Sequence, residues 1–169
     1  MFLGYAARLW SLTLGGIVLT GILPDIESLL WRDVDGRIDL HLPEAVGLAC
    51  DDLNELVEVA QETVLGRHLE PMIVAIRAAE PMSERLLRGN AASALIGAAR
   101  VLDGEAGTVA VKLAETILLD QRLVDTVDRE GTGFRRRSCC LFYRTSVSGY
   151  CGDCVLTRSN EPEEKEESA

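Results

Sequence analysis

The stretch Met1–Leu23, MFLGYAARLWSLTLGGIVLTGIL, decides what kind of protein this is. It is apolar over its whole length, enough to span a bilayer or to form the core of a signal peptide. Arg8 interrupts the run, no basic region precedes it and no A-x-A-like cleavage site follows it. Leu3, Ala7, Trp10, Leu14 and Ile17 recur at helical spacing, so the segment reads as the buried helix of a soluble domain. A cytoplasmic, reducing setting follows, with no stable membrane insertion. The helix also begins at once, without a capping residue or polar lead-in, which predicts a chain that enters part-way into a larger fold.

Outward from that helix, DIESLLWR (25–32) predicts one or two helical turns, and WRDVDGRIDLHLP (31–43) a strand or hairpin arm. Ile38, Leu40 and Leu42 alternate with polar residues, the period of a half-buried strand near 36–42, and Pro43 ends it. The period then becomes helical. Leu53, Leu56, Val57, Ala60, Val64 and Leu65 mark one amphipathic helix, stopped near Gly66; a second runs from Leu69 to Ala79 with Pro71 in its first turn. A third begins at Ser83, and its Ala91, Ala92, Ser93, Ala94, Gly97, Ala98 and Ala99 offer a flat face for close helix packing. A fourth is expected from Ala106 to Asp128, after which REGTG (129–133) breaks the pattern. The fold class is therefore mainly α. A helical body over 1–130, open at its N-terminal side, is followed by an irregular cysteine-rich lobe over 131–158. Residues 159–169, acidic and without large apolar side chains, are expected to be a disordered tail.

The chain of 169 residues is long enough for one domain with an ordinary core. A net charge of -10 excludes a general nucleic-acid binder, which needs a basic face. The charge is uneven, however, because Arg129, Arg135, Arg136, Arg137, Arg144 and Arg158 stand against Glu130 and Asp153 in the cysteine segment. Four of the five cysteines lie there, as Cys139-Cys140, ten residues, then Cys151-x-x-Cys154. A C-x-x-C turn sets two thiolates on one side of a loop, and four soft donors without a nearby histidine favour zinc or an iron-sulfur centre. Arg135, Arg136, Arg137 and Arg144 add a field that stabilises an extra electron on a thiolate cluster, or a surface that docks an anionic partner. Structural zinc held by four thiolates is also negative, and the same cysteines could form disulfides or stay free thiols, so all of these readings stand on the residues alone.

Other candidates carry less. Cys50 reads as a small buried residue, and His41 and His68 are isolated. Trp10 and Trp31 are expected in the core, and Asp51, Asp52 and Glu55 sit where carboxylates favour a helix start. Tyr143 and Tyr150 flank the cysteines as shielding. Gly15 and Gly16 lack the strand-turn-helix setting of a dinucleotide site, and no serine or carboxylate stands in a recognisable catalytic arrangement.

The runs RRSCCLFYR (136–144) and GYCGDCVL (149–156) resemble the C-terminal signature of the FhuF-like ferric siderophore reductases. RLWSLTLGGIVLTGILPD and GNAASALIGAARVL are similar to helical segments of the same family. The resemblance implies a 2Fe-2S cluster on Cys139, Cys140, Cys151 and Cys154, and no catalytic residue beyond the cluster. It further implies a cytoplasmic ferric siderophore reductase in iron uptake, an oxidoreductase that passes one electron to siderophore-bound Fe(III) and releases Fe(II). Its partners would be a ferric siderophore, hydroxamate types included, and an electron donor. Family members usually carry a further N-terminal portion, in line with the abrupt start. The alternative reading is a non-enzymatic helical module that binds a siderophore or a partner, with a structural zinc site made by the same four cysteines.

Overall fold

A computed structural model gives the fold and describes residues 1–35, 37–130, 133–145 and 149–160. Helix α1 (Phe2–Thr20) ends where Gly21 adopts φ 70 and donates its N–H back to Ile17 O. The buried stripe of α1 is Phe2, Ala6, Leu9, Trp10, Thr13, Leu14 and Ile17, so Leu3 and Ala7 lie off the stripe that their spacing suggested. It is long and apolar enough to cross a membrane by length and composition, yet Leu9, Trp10 and Leu14 are fully enclosed by the rest of the chain. Each such side chain contributes roughly 1.5–3 kcal/mol by leaving water.

After α1 the chain makes two small antiparallel pairs. Strand β1 (Ile22–Pro24) pairs with β4 (Gly47–Ala49), and β2 (Leu30–Val34) with β3 (Arg37–His41). The expected hairpin near 36–42 is thus present. The helical turns expected over 25–32 are not: Asp25 accepts the Glu27 N–H in a side-chain-closed turn, only Leu29 N–H to Ile26 O follows, and Leu30 already enters β2. Every residue of β2 is exposed, and Trp31 at 70% exposure is no core residue.

Helix α2 (Leu53–Ala60) starts at Asp52, whose carboxylate accepts the Asn54 N–H, with Glu55 in the first turn, as the acidic start suggests. It does not stop near Gly66. A π-helical stretch, Gln61–Leu69, carries it into α3 (Glu70–Ala79). A helical glycine costs only about 1 kcal/mol relative to alanine, and the buried Val64, Leu65 and Leu69 outweigh it. Pro71 brings no N–H and would clash with a carbonyl one α-turn earlier, and the widened turns lie directly before it.

Helix α4 (Glu84–Arg100) has Ser83 at its N-cap, though the hydroxyl makes no capping bond. Its small residues meet α1 in the most extensive helix–helix seam of the molecule, with Ala91, Ala92, Ala94, Ala98 and Ala99 buried; Gly97 faces outward. Arg88 ties α4 to α3 through Glu70 and to the chain beyond α5 through Arg122 O at 3.0 Å. Helix α5 (Gly104–Ile117) ends well before the expected Asp128. Asp120 explains the stop: its carboxylate takes the Arg122 N–H and guanidinium, closing a turn that competes with helix, and Asp125 follows at φ 64. The chain continues as a hairpin of β5 (Val127–Glu130) and β6 (Gly133–Arg136), where loops and helix were expected. Residues 161–169 of the expected tail lie outside the described residues, and 159–160 close a 3-10 helix, Val155–Asn160.

Candidate metal centre

Strand β6 delivers the cysteine segment onto α4. At its end Arg137 N–H still bonds Thr126 O at 2.9 Å, and the Ser138 hydroxyl then donates to Arg85 O at 3.1 Å on the first turn of α4. A methyl group on Gly89 would clash with Ser138 Oγ, so a glycine there permits the approach. Adjacent side chains normally diverge. Here Leu141 takes φ 62, bending the backbone so that Leu141 N–H points at Cys139 Sγ (3.3 Å) and Phe142 N–H at Cys140 Sγ (3.4 Å). The second segment repeats the device: Cys154 N–H closes a turn on Cys151 O at 3.1 Å, and Leu156 N–H donates to Cys154 Sγ at 3.4 Å. Three of the four sulfurs thus accept a main-chain N–H from two residues on.

The two segments meet at Cys140 and Cys151, whose sulfurs are 3.3 Å apart. Thiolates sharing a tetrahedral metal at about 2.3 Å stand roughly 3.8 Å from each other, so this pair is within about half an ångström of that spacing. Each member has a second cysteine in its own tight turn. Among the described residues no group of three or more cysteine, histidine or acidic side chains closes around a single point. The donor set is soft and supplied with N–H donors, which fits thiolate chemistry, and the structure brings Cys140 and Cys151 together while Cys139 and Cys154 stand in the adjoining turns. Burial, the Cys140 thiol and the Asp153 carboxylate all push the Cys151 thiol above its ordinary range, and Arg136 opposes them.

The four arginines have four different settings. Arg136 is 2% exposed and spends its guanidinium inward, Nε on Asp153 Oδ2 (2.8 Å), Nη1 on Asn90 Oδ1 and Nη2 on Ser93 Oγ (2.6 Å). Burial raises the Asp153 carboxyl, but hydrogen bonds from Ser93 and Arg136 outweigh it and hold the group below the usual range. Arg135 bonds Cys154 O (3.1 Å) and Thr157 Oγ1 (2.7 Å), bracing the second cysteine turn. Arg137 pairs outward with Asp125 and Asp128, and Arg144 lies over the Tyr143 ring at 5.6 Å. Tyr143 and Tyr150 are both exposed.

Sequence reading did not single out Asn90 or Ser138, counted Ser93 only as a small packing residue, and gave Asp153 no task. The available signal was polarity out of place: Asn90 and Ser93 interrupt an alanine-rich face, where a buried polar group needs a partner. Elsewhere, Cys50 is half-buried rather than buried, its thiol on Glu55 at 3.1 Å. His68 is a half-buried histidine bonded to the Tyr5 hydroxyl at 3.0 Å, and His41 is exposed on β3.

Residues 136–156 match the family model of the FhuF 2Fe-2S C-terminal domain. No curated protein and no solved structure matches the chain. The C-terminal lobe is accordingly FhuF-like, and the cofactor its description carries is the 2Fe-2S cluster rather than zinc. The match points to an iron-sulfur oxidoreductase family connected with siderophore iron.

Proposed function

We propose that the protein is a cytoplasmic ferric siderophore reductase, a one-electron oxidoreductase that frees siderophore-bound iron as Fe(II), with Cys139, Cys140, Cys151 and Cys154 holding the 2Fe-2S cluster. When bound, such a cluster supplies a one-electron couple. The carrying observation is the coincidence of the matched segment with a turn geometry that aims main-chain N–H groups at three of those four sulfurs. A siderophore grips Fe(III) with hard oxygen donors and Fe(II) far less well, so the reaction asks of the protein no nucleophile and no general base. It asks for a carrier near the surface, and Leu141, Phe142, Tyr143 and Tyr150 around the thiols are all exposed.

Within this reading Arg135 and Arg136 raise the cluster potential by favouring the added negative charge, with Asp153 set against Arg136. Arg144, exposed over the Tyr143 ring, and Arg137, exposed where it pairs with Asp125 and Asp128, are the candidates for meeting an anionic ferric chelate or donor. The test is anaerobic purification with iron and sulfide counted, followed by absorption and EPR spectra before and after dithionite. A rhombic EPR signal on reduction with two irons per chain, and stoichiometric transfer to a ferric hydroxamate read with an Fe(II) trap, is the expected result. A colourless, EPR-silent protein containing zinc would end the proposal.

A further inference from the structure

The cysteine lobe has almost no core of its own. Among the described residues from 133 to 157 only Arg136 and Cys154 are buried. Its strands form a single two-stranded pair, which is marginal alone, and the rest is short turns. The geometry of four thiols on two segments therefore has to be imposed by the helical body. Within the described residues, the deep polar connection through which this can happen is Arg136. One guanidinium joins β6, which leads directly into Cys139-Cys140, to Asp153, which lies between Cys151 and Cys154. The main chain repeats the link, with Arg136 N–H donating to Asp153 O at 3.1 Å. A planar, five-donor group buried this fully holds one orientation only when its remaining N–H groups are satisfied. The acceptors that satisfy them, Asn90 and Ser93, belong to α4, 46 and 43 residues away.

We propose that Asn90 and Ser93 are positioning residues of the metal centre, acting through Arg136 and Asp153 to hold the two cysteine-bearing segments in register. The inference rests on the reading that the four cysteines bind the cluster, but the latch itself is a property of the chain. It is stiff because Asn90 is 7% exposed and sits on the helix that carries the main seam with α1. Asn90 and Ser93 reach the cysteine segments through Arg136 and Asp153, so their effect on the centre passes through that pair.

The test uses the full-length chain in two states. In the cluster-free protein, alkylation of Cys154 by iodoacetamide is followed by mass spectrometry for the wild type, Asn90→Ala/Ser93→Ala and Ser93→Thr. Cys154 is 4% exposed, so its rate reports opening of the lobe. The double variant should react about tenfold faster, equivalent to about 1.4 kcal/mol, with unchanged helical circular dichroism, and Ser93→Thr should stay near the wild-type rate. After reconstitution with iron and sulfide, the double variant should bleach faster under EDTA and show broadened EPR g-values, whereas Ser93→Thr should keep the wild-type spectrum. Alkylation within twofold of wild type overturns the latch whether or not a cluster forms. Failure of the wild type to take up iron and sulfide overturns the cluster reading and leaves the alkylation result to decide the latch. If the double variant loses its helices, Ser93→Ala alone carries the same comparison.

Discussion

Adjacent arginines in this chain are expected to behave as unlike residues, and replacing each by glutamine makes the contrast measurable. Arg136→Gln removes a buried cation from Asp153, whose side chain is 18% exposed, and from Asn90, leaving a carboxylate and an amide short of partners. Breaking a buried pair in this way costs about 3–5 kcal/mol. The residual exposure of Asp153 places the effect near the lower end, about 3 kcal/mol, since water recovers part of its hydration. With a urea dependence of roughly 2 kcal/mol per molar for a chain of this size, the unfolding midpoint should fall by about 1.5 M. Arg137→Gln, next in sequence, breaks two exposed pairs with Asp125 and Asp128 that solvent and salt already screen, and should leave the midpoint within experimental error. The assay is urea titration of both cluster-free variants by circular dichroism, with Cys154 alkylation read in parallel. Equal midpoints, with Cys154 shielded in both variants, would refute the reasoning that Arg136 joins the lobe to the body.

Three further outcomes follow from the same structure. Trp10→Ala should destabilise the protein by about 3–5 kcal/mol by opening a core cavity, whereas Trp31→Ala, on the exposed face of β2, should leave the thermal midpoint unchanged; calorimetry separates them. Burial holds His68 below its usual range despite the raising influence of Glu27, so the fold binds that proton less readily than the unfolded chain. Stability from this group is present above the unfolded value near 6.5 and declines as pH falls below it, and His68→Gln should flatten the curve there. Finally, Gly89→Ala should weaken docking of the lobe by displacing Ser138, while in a Ser138→Ala background the same change should stabilise by up to about 1 kcal/mol through helix propensity. A double-mutant cycle in urea reads that reversal of sign.

The helices were legible where a buried face repeats with one period, as in α1 and α4, because burial and periodicity then agree. They were misread where a local rule yields to packing. Gly66 looks like a stop and Pro71 like the first turn of a new helix in isolation, but a continuous stripe of Val64, Leu65 and Leu69 carries one helix across both. Asp120 is the reverse case, a short side chain whose bond to Arg122 stops a helix that apolar content alone would extend. The pair β1–β4 joins residues far apart in sequence and has no local signature. At the site, the thiols and the arginines were visible as a motif, but their division of labour was not. Which arginine is buried depends on Asn90 and Ser93, and nothing in RRRSCC distinguishes its three cations.

The seam between α1 and α4 also sets an order of events during synthesis. Helix α1 is made before α4, and the face that covers it is complete only when Arg100 has left the ribosome. At roughly 5–20 residues per second, some 80 residues of delay expose that apolar helix for about 4–16 seconds. Throughout that interval the nascent chain presents an uncovered segment with the length and composition of a membrane span. Arg8, the one charged side chain in that segment, is then the residue whose transfer into a bilayer would cost most, before any tertiary structure covers the helix.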